Sequence, residues 1–162
     1  TWEFQFNSSL RRIHRHAERW LQTQIFFPLK LRTSNIAQVD KEMLSKLDTL
    51  ERNGTLVDPF KALEYVEENA RGIPQPRPDV LCLVTQTPLT VYKGGFGIYH
   101  PLCKILVPLI LTYNSTNVQE TGKNLGFLIR NTLIIDNYKT WYELPEEKKK
   151  ERFEKCIAQK LI

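Results

Sequence analysis

The sequence contains 162 residues, of which 41% are hydrophobic and 25% are charged, and its formal net charge at pH 7 is +5. This length fits a single domain, and the apolar content is sufficient for a core, which excludes a disordered tail. The longest run without a polar residue covers residues 105–111, whereas a membrane-spanning helix needs roughly 20 apolar residues. The sequence therefore predicts no transmembrane segment. The basic excess is compatible with a nucleic acid or an anionic partner without requiring one.

Aromatic side chains alternate with polar ones at the start of the chain. Trp2, Phe4 and Phe6 are separated by Glu3 and Gln5. A period of two residues predicts an extended segment that presents all three rings on one face. Such an arm either packs on its own core or docks into another protein. These three aromatic residues are therefore our candidates for binding a protein partner.

A first helix is predicted over residues 9–26, because Asn7, Ser8 or Ser9 can cap it and Phe27-Pro28 ends it. Its buried stripe, at a spacing of three and four residues, consists of Leu10, Ile13, Ala17, Trp20 and Leu21. Its opposite side is rich in arginine. The candidates for binding a nucleic acid or an acidic partner are Arg11, Arg12, Arg15 and Arg19, with Lys30 and Arg32 beyond the helix. The competing interpretation is an ordinary solvated helix face.

Two more helices are predicted before residue 73. A narrow apolar seam indicates a helix over residues 35–53, which is expected to pack with the first helix as a hairpin. Asp58 is a typical N-cap before Pro59, and Gly72 is a typical end for a third helix. On that helix Phe60 is assigned to the apolar face, together with Leu63 and Val66. Residues 1–72 thus form an arm and a set of helices.

Alternating prolines in residues 73–78 predict a rigid extended connector. It separates residues 1–72 from residues 79–162, and both parts are expected to belong to one compact domain. The short apolar run at residues 80–84 is compatible with a strand, and the competing interpretation is a helix over residues 80–86 followed by an irregular glycine loop. Around Gly94-Gly95 a β-hairpin is predicted over residues 89–99, since glycine provides the positive φ angles of a tight turn.

The remaining segments, after residue 100, are predicted to be helices. One is predicted over residues 102–113, kinked or split by Pro108, another over about residues 118–138, and a last one from Pro145 onward. The predicted fold is therefore mainly α, a bundle of about six helices with one short β-hairpin near residues 89–99.

The chain has three cysteines, Cys82, Cys103 and Cys156, with no Cys-x-x-Cys pair. An odd, widely spaced set argues against disulfides and for a reducing, intracellular compartment, whether nuclear, cytoplasmic or organellar. Glycosylation acceptor motifs begin at Asn7, Asn53 and Asn114; a secreted protein could use them, but such short motifs often occur by chance. We give the cysteines more weight here.

No motif for a cofactor, a metal or a nucleophile stands out in the sequence, so no cofactor and no metal site are predicted. An enzyme would have to assemble its site from scattered side chains, first among them Lys93, Tyr99, His100 and Cys103. The preferred hypothesis is a non-catalytic protein–protein interaction module, or a subunit of a larger intracellular assembly. The alternative is a protein that binds the backbone of RNA or DNA through its arginine-rich helix face.

Overall fold

The computed structural model describes residues 1–50, 56–74, 77–98 and 100–156. These residues form a mixed α/β fold, and the elements in chain order are α1 (Trp2–Ile25), α2 (Lys41–Leu50), α3 (Pro59–Arg71), β1 (Val80–Thr85), β2 (Gly95–Gly97), β3 (Val107–Thr112), α4 (Val118–Thr132), α5 (Tyr138–Glu143) and α6 (Glu146–Glu151). The three strands make one sheet in the order β1-β3-β2. β1 pairs with β3 in parallel and β2 pairs with it antiparallel. The predicted mainly α bundle is therefore wrong.

The apolar run at residues 105–111 contributes the central strand, β3, and not the helix that we predicted over residues 102–113. Residues 107–111 are all buried. A strand covered on both faces carries a continuous apolar run, which by its sequence alone resembles a buried helix. Its pairing partner is β1, so residues 80–84 form a strand and not a helix.

Pro108 lies within this central strand without breaking it. The antiparallel register pairs Gly97 with Leu109, so Pro108, which precedes Leu109 in β3, lies opposite Ile98, which follows Gly97. Proline has no N–H to donate, and the carbonyl of Ile98 instead accepts a hydrogen bond of 2.8 Å from the backbone N–H of His100. The proline therefore ends the β2–β3 ladder at Gly97.

The predicted hairpin over residues 89–99 is also wrong in its pairing. β2 pairs with β3, and residues 89–92 form no strand. Gly95 has a φ of 140°, and an added Cβ would collide with the carbonyl oxygen of Ile110. Glycine is thus needed here for its backbone freedom and for the close approach of β3.

α1 begins at Trp2, so the extended N-terminal arm that we predicted does not exist. One buried stripe at a spacing of three and four residues runs along the whole helix, and it consists of Phe6, Ser9, Ile13, Ala17, Leu21 and Ile25. Trp2 and Phe6 are four residues apart and share the stripe's side of the helix. The alternation of aromatic and polar residues at positions 2–6 was therefore misleading. These residues belong to the first turns of α1, whose buried positions repeat every three or four residues.

Helices cover both faces of the sheet. On one face Leu109 and Leu111 pack in a cluster with α1 and α4. On the other face Ile110 packs in a cluster with Met43 of α2 and Leu63 of α3. α1 and α2 thus belong to different clusters on opposite faces and do not form the predicted hairpin. α2 begins at Lys41, where Asp40 accepts a hydrogen bond from the N–H of Met43 at 2.7 Å.

Three of the other helices begin at side-chain N-caps. α3 begins at Pro59, as predicted, with Asp58 as its N-cap. The helix predicted over residues 118–138 ends at Thr132 as α4, and a separate helix, α5, begins at Tyr138; their N-caps are Asn117 and Asn137. Of the connector at residues 73–78, positions 75 and 76 lie outside the described residues. In the described part of the chain, no helix combines the length and the hydropathy needed to cross a bilayer.

Cys103 and Cys156 form a disulfide, with their Cα atoms 4.8 Å apart. Both residues are buried in the cluster that contains α1 and α4. Arg152 supports the same region, because its guanidinium donates to the carbonyls of Leu102 and Leu133 at 2.7 and 3.0 Å. The expectation that the cysteines stay unpaired is therefore wrong, and only Cys82 is free among them.

Candidate functional site

The three N-terminal aromatic residues are placed differently from one another. Phe6 is buried and Trp2 is half-buried, and both pack against Tyr113, with ring centroids 5.3 and 6.5 Å apart. Phe4 is 73% exposed on the other side of α1. Trp2 and Phe6 therefore belong to the chain's own core, and Phe4 is the member of this set that faces outward.

An aromatic patch that the sequence did not reveal lies between α3 and β2. We use the name aromatic patch for Phe60, Tyr92 and Phe96. The ring of Phe96 is stacked on Tyr92 at 4.9 Å and meets Phe60 edge-on at 5.3 Å. Phe60 is 59% exposed and Tyr92 is 51% exposed, so two of the three rings present much of their surface to solvent. Val91, next to Tyr92, is exposed as well.

The α3 side of the patch is held by a helix cap. The Asp58 carboxylate accepts from the backbone N–H of Phe60 at 2.9 Å, which fixes the first turn of α3. The N–H of Val57 donates to the carbonyl of Leu89 at 2.9 Å and ties this helix start to the loop that carries Tyr92. The assignment of Phe60 to the buried face of α3 is therefore wrong, because the buried residues of that helix are Ala62, Leu63, Val66 and Ala70.

The loop side of the patch is equally fixed. The backbone N–H of Tyr92 donates to the hydroxyl of Thr90 at 3.1 Å, and Thr90 is buried. The Tyr92 carbonyl then accepts from the N–H of Gly95 at 3.2 Å, directly before Phe96. Both sides of the aromatic patch are thus preorganised, which lowers the entropic cost of binding. Its positive sequence neighbours Lys61 and Lys93 are exposed, as are the acidic Asp58 and Glu64.

The predicted basic residues all lie on the surface. We call Arg11, Arg12, Arg15 and Arg19 the arginine face of α1, and each of them is exposed. Among the residues that the structure describes, none of these arginines has a carboxylate within 4.0 Å, although Arg12 donates to the hydroxyl of Ser9 at 3.2 Å. Their charge is therefore not neutralised within the described chain.

Neighbouring groups modify this face only slightly. Lys30 and Arg32 are exposed in the segment after α1, and Leu31 between them donates its N–H to the Glu18 carboxylate at 2.7 Å. That bond anchors the segment to α1. Burial lowers the pKa of His14, and this effect outweighs the upward effect of Glu18. His14 is therefore neutral at neutral pH and adds no positive charge to the arginine face.

Of the residues named for an enzyme, those that the structure describes form no recognisable site. Cys103 is in the disulfide, Lys93 is exposed, and Tyr99 lies outside the described residues. His100 Nε2 lies 3.4 Å from a Glu67 carboxylate oxygen.

The free thiol and the potential metal ligands offer no more. Burial raises the pKa of Cys82 to about 12, so its thiol is protonated and a poor nucleophile. Within the described ranges, no group of three or more His, Cys, Asp and Glu side chains could hold a metal ion.

Comparison with known proteins returns no relative: no family model, no curated protein and no solved structure matches this chain. The functional conclusion therefore depends on the residues and their geometry.

Proposed function

We propose that this chain is a non-catalytic protein-interaction module that binds its partner through the aromatic patch. The observation that supports this most is the exposure of Phe60 and Tyr92 on fixed supports, in contact with each other through Phe96. Aromatic side chains are enriched among the residues that contribute most to binding energy. A folded chain that leaves such rings in water carries a surface suited to another protein.

The partner that fits is a protein segment with exposed apolar side chains. Apolar side chains would cover the rings of Phe60 and Tyr92. The exposed charges that flank the rings in the chain balance, with Lys61 and Lys93 against Asp58 and Glu64, so they favour neither sign of charge in the partner. Phe4, the outward-facing N-terminal aromatic, stays a second candidate for contact with a protein.

Selection of peptides tests this proposal. A displayed library of short random peptides, panned on the immobilised chain, is expected to enrich sequences that contain several aromatic or aliphatic residues. Phe60→Ala and Tyr92→Ala should each weaken the selected peptide at least about tenfold, because both rings lie at the centre of the contact. Fluorescence polarisation measures the dissociation constants.

Ile134→Ala is the matched control, since Ile134 is an exposed aliphatic residue, 47% accessible, outside the aromatic patch. It should leave the affinity unchanged. Circular dichroism and thermal melts should show that all three variants stay folded, because surface substitutions usually change stability by less than about 0.5 kcal/mol. Peptides that bind the Phe60 and Tyr92 variants as tightly as the parent would contradict the proposal.

A second candidate function, binding of a nucleic-acid backbone, is favoured by one specific observation. The arginine face is exposed and has no carboxylate within 4.0 Å among the described residues. Arginine binds phosphate in a bidentate manner, and a row of arginines along one helix can follow a phosphate chain.

A salt series with RNA and duplex DNA tests this candidate. If these arginines neutralise phosphates, affinity should fall about 100-fold between roughly 50 and 200 mM salt, from the counterions released. Each Arg→Ala change on the arginine face should reduce the slope of log K against log salt by about one. The control removes the same charge elsewhere, with Lys41→Ala, Arg71→Ala, Lys104→Ala and Lys139→Ala combined. A slope that depends only on net charge, or no binding at low salt, would rule the candidate out.

The prediction of an intracellular compartment is no longer supported by the cysteines. An intracellular, reducing location was expected because the cysteines were taken to be unpaired. The Cys103–Cys156 disulfide removes that support.

A further inference from the structure

The glycosylation motif at Asn114 lies where a sugar chain can be carried. Asn114 follows β3 and precedes α4, and the next two residues, Ser115 and Thr116, are exposed. The Asn114 side-chain oxygen accepts from the backbone N–H of Thr116 at 3.1 Å and from its hydroxyl at 2.7 Å. The acceptor asparagine and the threonine of the motif are thus adjacent on the surface.

The amide nitrogen of Asn114 is the atom that would carry the sugar. Its one hydrogen bond among the described residues is a long one, of 3.5 Å, to the exposed carboxylate of Glu120. The loop is held by a different bond, from the backbone N–H of Asn114 to the Thr121 hydroxyl at 2.9 Å. Substitution of the amide nitrogen therefore gives up one weak surface contact and leaves the fold of the loop unchanged.

Asn7 provides a second position in a different setting, because its motif lies within α1 and the hydroxyl residue of the motif, Ser9, is buried. Asn7 itself is exposed on α1, next to Phe6, whose ring contacts Tyr113 at 5.3 Å. Since Asn7 follows Phe6 and Asn114 follows Tyr113, the two motifs flank the same contact at one end of the molecule. The motif at Asn53 lies outside the described residues.

The disulfide is an independent indication of the compartment. Cys103 and Cys156 are 53 residues apart in sequence and both are buried, at 3% and 7% exposure. To pair them, two thiols lose two electrons and two protons to a disulfide-bearing oxidant, by thiol–disulfide exchange. Such pairs persist in oxidising compartments, which include the lumen where asparagine-linked sugars are added.

We propose that Asn114 is an N-glycosylation site, with Asn7 as a second one, and that the chain folds in an oxidising secretory compartment. The donor is an oligosaccharide carried on a polyprenyl pyrophosphate. A bond forms between Nδ2 of the asparagine and C1 of the first sugar, and the bond from C1 to the pyrophosphate oxygen breaks. The amide loses one proton to the transferring enzyme's base, and the lipid pyrophosphate leaves with the bonding electron pair.

Peptide mass spectrometry of the natural protein tests the proposal. The protein is isolated with antibodies against this chain from the cells that make it. Enzymatic removal of N-glycans converts each occupied asparagine to aspartate. We expect this conversion at Asn114 and Asn7, and a linked Cys103–Cys156 peptide in the unreduced sample. An unmodified Asn114 would overturn the assignment, whether or not the disulfide is present.

Variants secreted from eukaryotic cells, in an Asn53→Gln background, separate the motif from folding. Thr116→Ala should abolish the glycan on Asn114, whereas Thr116→Ser keeps the motif and should retain it. Asn114→Gln should produce the same mass loss as Thr116→Ala. A glycan at Asn114 that persists in Thr116→Ala, or that is lost equally in Thr116→Ser, would contradict the proposal.

Discussion

Opening the Cys103–Cys156 disulfide is expected to lower the free energy of unfolding by about 4 kcal/mol, from the entropy that the cross-link removes from the unfolded chain. The two cysteines are 53 residues apart, so the cross-link closes a long loop. That loop contains β3 and α4, the elements at the centre of the fold. For a chain of this length the melting temperature should fall by about 10 °C.

The measurement compares urea unfolding of the parent chain with that of Cys103→Ser/Cys156→Ser, each with and without reductant. The parent should lose stability on reduction, and the double variant should be indifferent to reductant. Cys82→Ala is the control, because it removes the free thiol and keeps the disulfide. If the reduced parent unfolds at the same urea concentration as the oxidised one, the cross-link does not stabilise the fold.

Local signals were sufficient where a structural element is decided by its own residues. Asp58 before Pro59 marks the start of α3, since the cap and the fixed φ of proline both act within one turn. The stripe that contains Ile13, Ala17 and Leu21 was visible because one helix face is buried along its whole length. Neither inference needed knowledge of distant parts of the chain.

The sheet could not be found in this way. β3 is an apolar run without a period, and its parallel partner β1 lies before the whole of β2 in the chain. Pro108 favoured a kinked helix, but in a strand its missing N–H only ends pairing opposite Ile98. What distinguishes a helix from a strand here is pairing across a long sequence separation, which periodicity does not record.

The aromatic patch was missed for a related reason. Phe60 has the spacing of a core residue relative to Leu63, yet its ring is 59% exposed because no element of the described chain covers the first turn of α3 on that side. A cue was present in Val91-Tyr92, two large apolar residues inside a loop. The same limit applies to the cysteines, since nothing in a separation of 53 residues indicates that Cys103 and Cys156 meet.

The disulfide and the aromatic patch change the preferred hypothesis in different ways. A protein-interaction module stays the proposal, but its contact residues move from Trp2 and Phe6, which pack on Tyr113, to Phe60 and Tyr92. If Asn114 carries a glycan as proposed, the partner would be a secreted or luminal protein, and a nucleic-acid partner for the arginine face would be disfavoured.

Replacing Gly122 by leucine is expected to destabilise the fold by about 3 kcal/mol, at the upper end of the usual cost of overpacking. Gly122 lies on the face of α4 that packs against α1. An added Cβ would be 2.7 Å from the carbonyl oxygen of Ile13 and 2.5 Å from the Cβ of His16. Backbone atoms cannot rotate away, so α1 and α4 would have to separate along their shared interface.

Lys123→Leu is the matched control, since it introduces the same side chain one residue further, on the exposed side of α4. It should change the free energy of unfolding by less than about 0.5 kcal/mol. Leucine is a better helix former than glycine by nearly 1 kcal/mol, so helix propensity alone would make Gly122→Leu stabilising. Urea unfolding of both variants therefore gives the sign of the change in the free energy of unfolding, which is negative for overpacking and positive for helix propensity. A Gly122→Leu chain as stable as the parent would mean that α1 and α4 are not in direct backbone contact at this position.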